Sequence, residues 1–256
     1  MHWRVQLLVL FTFCLVVFLV QKNYLSGHRV SAPPYNKTTV PNAAIVMVSP
    51  LRDVRAGIEK IFSGSPVTHV GLIWVDAAGR PFLFHTERTL GAHLEPFHTW
   101  LRQTPNQQVF IRCVTGVDVS GAALESAITP YLSTRYSFGF WKAVLQFWWP
   151  GVEMPRATSP KDRFCSELIA EVLHHVGVLH FEDDTIVPRL ILPYDFWDTH
   201  RLPYTPNVYL GPVEEITAMH ALDITAMHAL DITAMHALDI TAMHALDITA
   251  MHAVHA

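Results

Sequence analysis

The sequence predicts one folded body that contains both β-strands and α-helices, and two patterns establish this. Residues 69–75 and 81–86 are strand-like stretches around Asp76-Ala77-Ala78-Gly79, a turn signal with glycine where a positive φ is needed. From Cys165 onward, apolar residues recur at helical spacing until Gly177, a natural helix stop. The chain therefore combines a β-hairpin with a well-bounded amphipathic helix.

Further elements follow in chain order. Residues 44–48 form a continuous apolar run that suits a buried strand, residues 54–62 predict a short helix, and residues 109–114 predict another strand. Residues 121–132 have helical spacing at Leu124, Ile128 and Leu132. Residues 136–149 contain seven large aromatic side chains, which we interpret as core packing, with a substrate groove or a membrane-contacting lip as the alternative.

The amino-terminal part predicts a membrane anchor. Residues 5–20 are sixteen residues without a charge, and Trp3 and Tyr24 extend the run toward the interfaces. We expect an uncleaved signal anchor at 1–23, with a cleaved secretory signal as the alternative. The sequon Asn36-Lys37-Thr38 favours an extracytoplasmic or lumenal body, although the positive charges after the segment favour the opposite orientation.

The domain organisation then has four parts: the signal anchor at 1–23, a flexible linker at 24–42, a catalytic domain at 43–212 and a repeat tail at 213–256. In the tail, Ile-Thr-Ala-Met-His-Ala-Leu-Asp starts at 216 and recurs at 224, 232 and 240. A period of eight fits no coiled coil, so we interpret the repeat as a tandem expansion. Its histidines predict weak metal binding at most.

Composition excludes two classes of protein. The formal net charge of −4 gives no basic face, so nucleic acid is not an expected partner. Three cysteines, Cys14, Cys113 and Cys165, do not describe a disulfide framework. Cys113 lies in an apolar strand and is interpreted as a packing residue.

Four motifs together resemble the circularly permuted papain-like amidases of the NlpC superfamily, most closely the YaeF/YiiX-type group. The resemblance covers residues 43–193 and implies an α+β fold in which an antiparallel sheet packs on the helix that carries the nucleophile. The motifs are Thr68-His69-Val70-Gly71-Leu72-Ile73, Phe82-Leu83-Phe84-His85, Gly91-Ala92-His93-Leu94-Glu95-Pro96-Phe97 and Phe164-Cys165-Ser166-Glu167-Leu168.

The resemblance implies that Cys165 is the nucleophile and His69 the general base of a reaction through a thioester. A thiol at a helix N-terminus also has the physical setting of a reactive cysteine, because the helix dipole lowers its pKa. A third polar group should orient the imidazole. His85 is the first candidate, as in the related lecithin:retinol acyltransferase-like proteins, and Glu87 is the alternative. No metal or organic cofactor is implied.

Hairpin geometry gives an independent condition for this triad. If the turn is a type I turn with a glycine bulge, paired residue numbers sum to 156, so that His69 lies opposite Glu87 and diagonal to His85. A tighter turn, summing to 155, would direct both candidates to the other face. The triad thus predicts the bulged register. The histidines at 93, 98, 180 and 200 show no spacing that predicts a site.

The expected function is that of a membrane-anchored cysteine-dependent hydrolase of the amidase or peptidase kind. Its partner would be an amide- or acyl-containing substrate, either a peptide or a lipid. One alternative is a thiol acyltransferase of lipids, although such proteins usually carry Asn-Cys-Glu where this chain has Phe164-Cys165-Ser166-Glu167. The other is a catalytically silent binding or scaffold protein with the same fold.

Overall fold

The computed structural model describes residues 11, 14, 29–37, 39–51, 65–104, 107–136, 162–181, 191–198 and 202–216. Within these residues the chain forms strands β1 (Ile45–Pro50), β2 (His69–Val75), β3 (Pro81–Glu87), β4 (Gly91–Pro96), β5 (Gln107–Arg112), β6 (Val114–Thr115), β7 (Arg135–Tyr136), β8 (Asp162–Arg163), β9 (Tyr209–Leu210) and β10 (Glu214–Ile216). The helices are α1 (Phe97–Gln103), α2 (Gly121–Ile128), α3 (Cys165–His175) and α4 (Pro193–Trp197), with a 3-10 turn at Thr129–Tyr131.

Six of these strands form an antiparallel sheet in the order β10-β5-β1-β2-β3-β4. β1 lies at its centre because its residues, Ile-Val-Met-Val-Ser, are buried on both faces. Two short pairs flank the sheet: β6 with β9, antiparallel, and β7 with β8, parallel. The expected α+β class, with an antiparallel sheet and separate helices, is therefore confirmed at this level.

The two faces of the large sheet pack on different helices. The face that we call the helix face packs on α3, and the other, which we call the opposite face, packs on α1. Strand alternation assigns each side chain to one of them. The helix face carries Ile45, Met47, Val70, Leu72 and Phe84, and the opposite face carries Val46, Val48, Ile73 and Leu83.

The β2–β3 hairpin has the bulged register that the sequence predicts. Leu72 pairs with Phe84 and Val75 with Pro81, so the paired numbers sum to 156. The N–H of Asp76 donates to the Arg80 carbonyl at 3.0 Å, and Gly79 has a φ of 78°. Glycine adopts this left-handed conformation without strain. The prediction of the register is confirmed.

Helix α3 begins at the cysteine and ends close to the predicted stop. The Glu167 carboxylate accepts a hydrogen bond from the backbone N–H of Phe164 at 3.2 Å, which satisfies a donor at the helix start. At the other end, Gly177 has a φ of 75°, a conformation that terminates the helix after His175.

Other elements differ from expectation for local reasons. The helix predicted for 121–132 ends at Ile128 and continues as a 3-10 turn, since Pro130 cannot donate to the helical ladder. The strand predicted for 109–114 is β5, which ends at Arg112, followed by the separate β6. The predicted helix at 54–62 and the aromatic stretch at 137–149 lie outside the described residues.

The prediction of a single-pass membrane protein is corrected. A spanning helix needs about 20 apolar residues, whereas α3, the longest helix among the described ranges, has 11. No helix in the described part of the chain has the length and hydropathy to cross a bilayer. Of the apolar run at 5–20, only residues 11 and 14 are described. The signal anchor, and the extracytoplasmic or lumenal placement that depended on it, are withdrawn.

Segments on both sides of the predicted catalytic domain also pack on the sheet. Tyr35 is fully buried, and its backbone N–H donates to the Glu215 carbonyl at 2.8 Å. β10, at 214–216, is the edge strand next to β5. Residues 217–256 of the repeat tail lie outside the described residues, so the boundaries of the linker, the catalytic domain and the tail stay predictions.

A buried arginine joins the sheet to the carboxy-terminal segment. The Arg112 guanidinium is 4% exposed and donates to carbonyl oxygens of the segment 196–211, at distances of 2.8 to 3.3 Å.

Arg112→Met would leave several buried carbonyls without donors, and we expect the free energy of unfolding to fall by about 3 kcal/mol. Urea denaturation measures it. As the control, Arg80→Met removes an exposed guanidinium paired with Asp76, and should change stability by less than about 1 kcal/mol.

Candidate catalytic site

Two histidines on neighbouring strands share a hydrogen bond. His69 is the first residue of β2, His85 lies in β3, and His69 Nε2 is 3.1 Å from His85 Nδ1. The residue between them in space is Gly71. A Cβ there would lie 2.8 Å from the Leu83 side chain and 3.2 Å from the His85 Cβ. Glycine at 71 therefore lets the side chains of β3 cross over β2 to meet His69.

The hydrogen-bonded series continues onto β4. His85 Nε2 is 2.8 Å from Glu95 Oε1, and His93, the direct strand partner of His85, places its Nε2 3.7 Å from the same oxygen. Sequence reasoning missed Glu95 and set His93 aside. The signal that could have found them is a repeated His-x-Glu spacing, His85-Thr86-Glu87 and His93-Leu94-Glu95, because side chains two residues apart share a strand face.

The Glu95 carboxylate determines which ring nitrogens carry protons. A carboxylate only accepts, so His85 Nε2 carries the hydrogen and, in the neutral ring, Nδ1 is an acceptor. His69 Nε2–H then donates to His85 Nδ1, which leaves the lone pair of neutral His69 on Nδ1. This assignment follows from the hydrogen-bond network. The series therefore prepares one ring nitrogen of His69 to accept a proton.

Burial and neighbouring charge keep His69 neutral. Desolvation lowers the pKa of His69 to about 3, with further lowering from the charges of His85 and His93. The hydrogen bond from His85 holds the pKa of the Glu95 carboxyl below its usual value, although burial opposes this shift. At neutral pH the series is thus a neutral imidazole, a second imidazole and a carboxylate.

The lowered pKa of His69 predicts acid sensitivity. In the unfolded chain His69 binds a proton with a pKa of about 6.5, whereas in the folded chain it binds one only near pH 3. Protonation therefore favours the unfolded chain, and the free energy of unfolding decreases as pH falls between these values. Because His69 keeps partial solvent contact, we expect its contribution to the free energy of unfolding to be about 1 kcal/mol. From pH 6.5 to 5, wild type should lose about that much more unfolding free energy than His69→Gln. Equal losses in urea titrations would contradict this.

Cys165 lies at the same end of the sheet as His69. The start of β4 is next to the end of β3 at Glu87, opposite the start of β2, and the N–H of Ala92 donates to the Thr134 carbonyl at 2.7 Å. β7 follows Thr134 and pairs with β8, and Cys165 begins α3 two residues after β8. This connection brings the N-terminus of α3 to the end of the sheet where His69 stands.

Cys165 and His69 share this end but not a face. Val48 pairs with His69 and Met47 with Val70, so His69 is on the opposite face and Val70 on the helix face. Cys165 packs in the core of the helix face and is 1% exposed. The structure therefore brings the predicted His69 and His85 into contact, while the nucleophile predicted at 165 lies across the sheet end from them.

Glu87, the alternative third residue, belongs to the same polar group without holding the hydrogen bond to His69. One potential ligand atom from each of His85, Glu87, His93 and Glu95 lies within 4.8 Å of the others. His85 is the residue whose ring nitrogen is bonded to His69 Nε2. Of the two candidates, His85 therefore holds the hydrogen bond to His69, and Glu95 is the next partner of the His85 ring.

Two further residues make structural contacts: Ser166, next to the candidate nucleophile, and Cys113, which packs on the opposite face of the sheet. The Ser166 hydroxyl is buried and donates to the Ile191 carbonyl, which ties α3 to the segment before α4. The Cys113 thiol is buried beside Tyr35, and burial raises its pKa. Both are structural, and Cys113 fits the packing role that its apolar surroundings predict.

Comparison with known proteins gives a likeness among solved structures. No protein-family model matches the chain, and no curated protein matches it. Among solved structures it is similar to one titled "Crystal structure of metalloprotein yiiX from Escherichia coli O157:H7, DUF1105", with a TM-score of 0.41 and 17% identity. The match covers 53% of this chain and 66% of that one, just under two thirds of its length. The name agrees with the YaeF/YiiX-type resemblance of the sequence motifs.

Proposed function

We propose that the chain is a cysteine-dependent hydrolase with a circularly permuted papain-like fold, which cleaves an amide or acyl bond through a thioester. One observation carries this proposal: the series His69–His85–Glu95 ends on a neutral, acceptor-ready imidazole at the sheet end where Cys165 begins α3. A nucleophile, a base and a group that orients the base are the parts that thiol catalysis needs.

In the proposed reaction, His69 Nδ1 takes the proton of the Cys165 thiol as Sγ attacks the substrate carbonyl carbon. The positive end of α3 stabilises the oxyanion. When the tetrahedral species collapses, the C–N or C–O bond breaks and His69 returns the proton to the leaving group. Water then attacks the thioester by the same steps, which releases the acid and restores the thiol. The Glu95 charge stabilises the imidazolium in each step.

Cys165 and His69 lie on different faces of the sheet. The mechanism therefore requires the thiol to reach His69 Nδ1 around the end of β2, where His69 is the first residue. A disulfide trap measures this directly. The variant His69→Cys should crosslink to Cys165 under mild oxidation, since a disulfide needs Cα atoms roughly 4.4 to 6.8 Å apart. Val70→Cys, one residue along and on the helix face, is the matched control. Crosslinking of position 70 but not of 69 would remove His69 from the proposed pair.

The chemistry itself is tested by trapping the acyl-enzyme. Incubation with an activated ester such as p-nitrophenyl acetate should acetylate Cys165, detected by peptide mass spectrometry and reversed by hydroxylamine. Acetylation confined to Cys113 would contradict the proposal. Adding a primary amine separates the alternative of acyl transfer, because a transferase would give the amide in preference to the free acid.

A further inference from the structure

We propose that His85, Glu87, His93 and Glu95 bind a divalent transition-metal ion such as Zn²⁺, and that the bound ion switches off the base. The metal site stands on its own geometry. Only the switch rests on the proposed function, because it acts through His69.

The four side chains converge from one hairpin. His85 and Glu87 are two residues apart on β3, His93 and Glu95 are two apart on β4, and His85 pairs directly with His93. Their ligand atoms lie within 4.8 Å of one another. Bonds of about 2.0 to 2.2 Å to zinc put tetrahedral ligand atoms about 3.4 Å apart, so small side-chain rotations complete the site.

The donor set and its charge suit such an ion. Imidazole nitrogens with carboxylate oxygens are ligands of zinc and its first-row neighbours. Glu87 and Glu95 together carry the two negative charges that neutralise a divalent cation, and neutral imidazoles add none.

Groups around the ligands already hold the rings in a metal-ready orientation. His93 Nδ1 is 3.0 Å from the Gly91 carbonyl, which can only accept, so Nδ1 carries the hydrogen and Nε2 offers its lone pair toward Glu95. His85 is 1% exposed, with its ring packed edge-on to Trp100 at 6.1 Å between centroids. The two Nε2 atoms are thus directed at the same space before any ion arrives.

Binding of the ion reverses the tautomers of both rings in the series. Metal on His85 Nε2 displaces the hydrogen that Glu95 accepted, so neutral His85 carries its hydrogen on Nδ1 and donates to His69 Nε2. Neutral His69 then has its hydrogen on Nδ1, the atom that must accept the thiol proton. Both rings stay neutral and the two hold two protons before and after. The bound metal therefore leaves His69 without a free ring nitrogen to accept the thiol proton.

Cobalt and zinc alone test the site on the full chain. Titration with Co²⁺, followed by its visible absorption, and calorimetry with Zn²⁺ should show one site in wild type that His93→Ala and Glu87→Gln weaken at least tenfold. The exposed His175 provides the control His175→Ala, which should bind as wild type. The tail histidines contribute equally to all these proteins. Equal binding by wild type and His93→Ala would overturn the site.

Nitrogen NMR of ¹⁵N-histidine-labelled protein tests the switch. Zinc should move the His69 hydrogen from Nε2 to Nδ1, with the signals assigned by comparison with His69→Gln. Zinc should also slow acetylation of Cys165 at least tenfold in wild type, and leave the rate of His93→Ala at its own zinc-free value. Zinc binding with Nε2–H retained would overturn the switch. A Cys165 that is unreactive without zinc would instead refute the proposed function, while the cobalt spectra still decide the metal site.

Discussion

Cys165→Ala should abolish turnover and acylation by activated esters, with activity reduced to the uncatalysed rate. The thioester forms on Sγ, and the neighbouring Ser166 hydroxyl does not offer a nucleophile in its place, since it is bonded to the Ile191 carbonyl. Removing a nucleophile that acts as part of a unit costs about as much as removing the whole unit, roughly 10⁶-fold in the subtilisin triad. Steady-state hydrolysis and intact-protein mass spectrometry measure both effects.

Cys113→Ala is the matched control for this result. Its thiol is also buried, but it packs on the opposite face among apolar residues, where burial raises its pKa. We expect wild-type acylation from this variant and none from Cys165→Ala. Because both changes shorten a buried side chain by one sulfur atom, comparable unfolding midpoints would show that lost activity is not lost folding. Retained turnover by Cys165→Ala would overturn the proposed function.

The parts of the fold that the sequence predicts well are those with a local physical cause. The hairpin register follows from the four residues of its turn, because glycine at 79 allows the left-handed conformation that the bulge needs. Helix α3 follows from its apolar period and from Gly177. In both cases the determining residues are within a few positions of the structure they determine.

The candidate site depends on long-range arrangement, which explains what was missed. β4 is short, starts at a glycine and ends at a proline, so it lacks a clear apolar alternation, and His93 and Glu95 become a group with His85 only when β4 pairs with β3. The face on which a helix packs is likewise set by the whole sheet. No sequence pattern near Cys165 or His69 indicates which face of the sheet α3 covers. In the structure it covers the face that carries Val70, and His69 lies on the other face.

The role of Glu95 leads to the second large effect. Glu95→Gln should lower kcat by roughly 10² to 10⁴-fold with little change in KM, by analogy with the Ser-His-Asp triad, where replacing the carboxylate by an amide costs about 10⁴. The amide has no charge to stabilise the imidazolium of His69 and can donate to His85 Nε2, which favours the inactive tautomers. The attraction between the Glu95 charge and the imidazolium strengthens only in the transition state. Its loss should therefore lower kcat and leave KM nearly unchanged.

The measurement needs two controls, because Glu95 is also a proposed metal ligand. Assays with a chelator present remove any contribution from bound metal. Glu125→Gln, an exposed residue on α2, makes the same chemical change away from the site and should keep wild-type kinetics. The ¹⁵N-histidine spectrum of Glu95→Gln should show His69 hydrogen on Nδ1, as zinc does in wild type. A kcat within about threefold of wild type in chelator would show that the imidazole series ends at His85, and that the carboxylate does not set its tautomers.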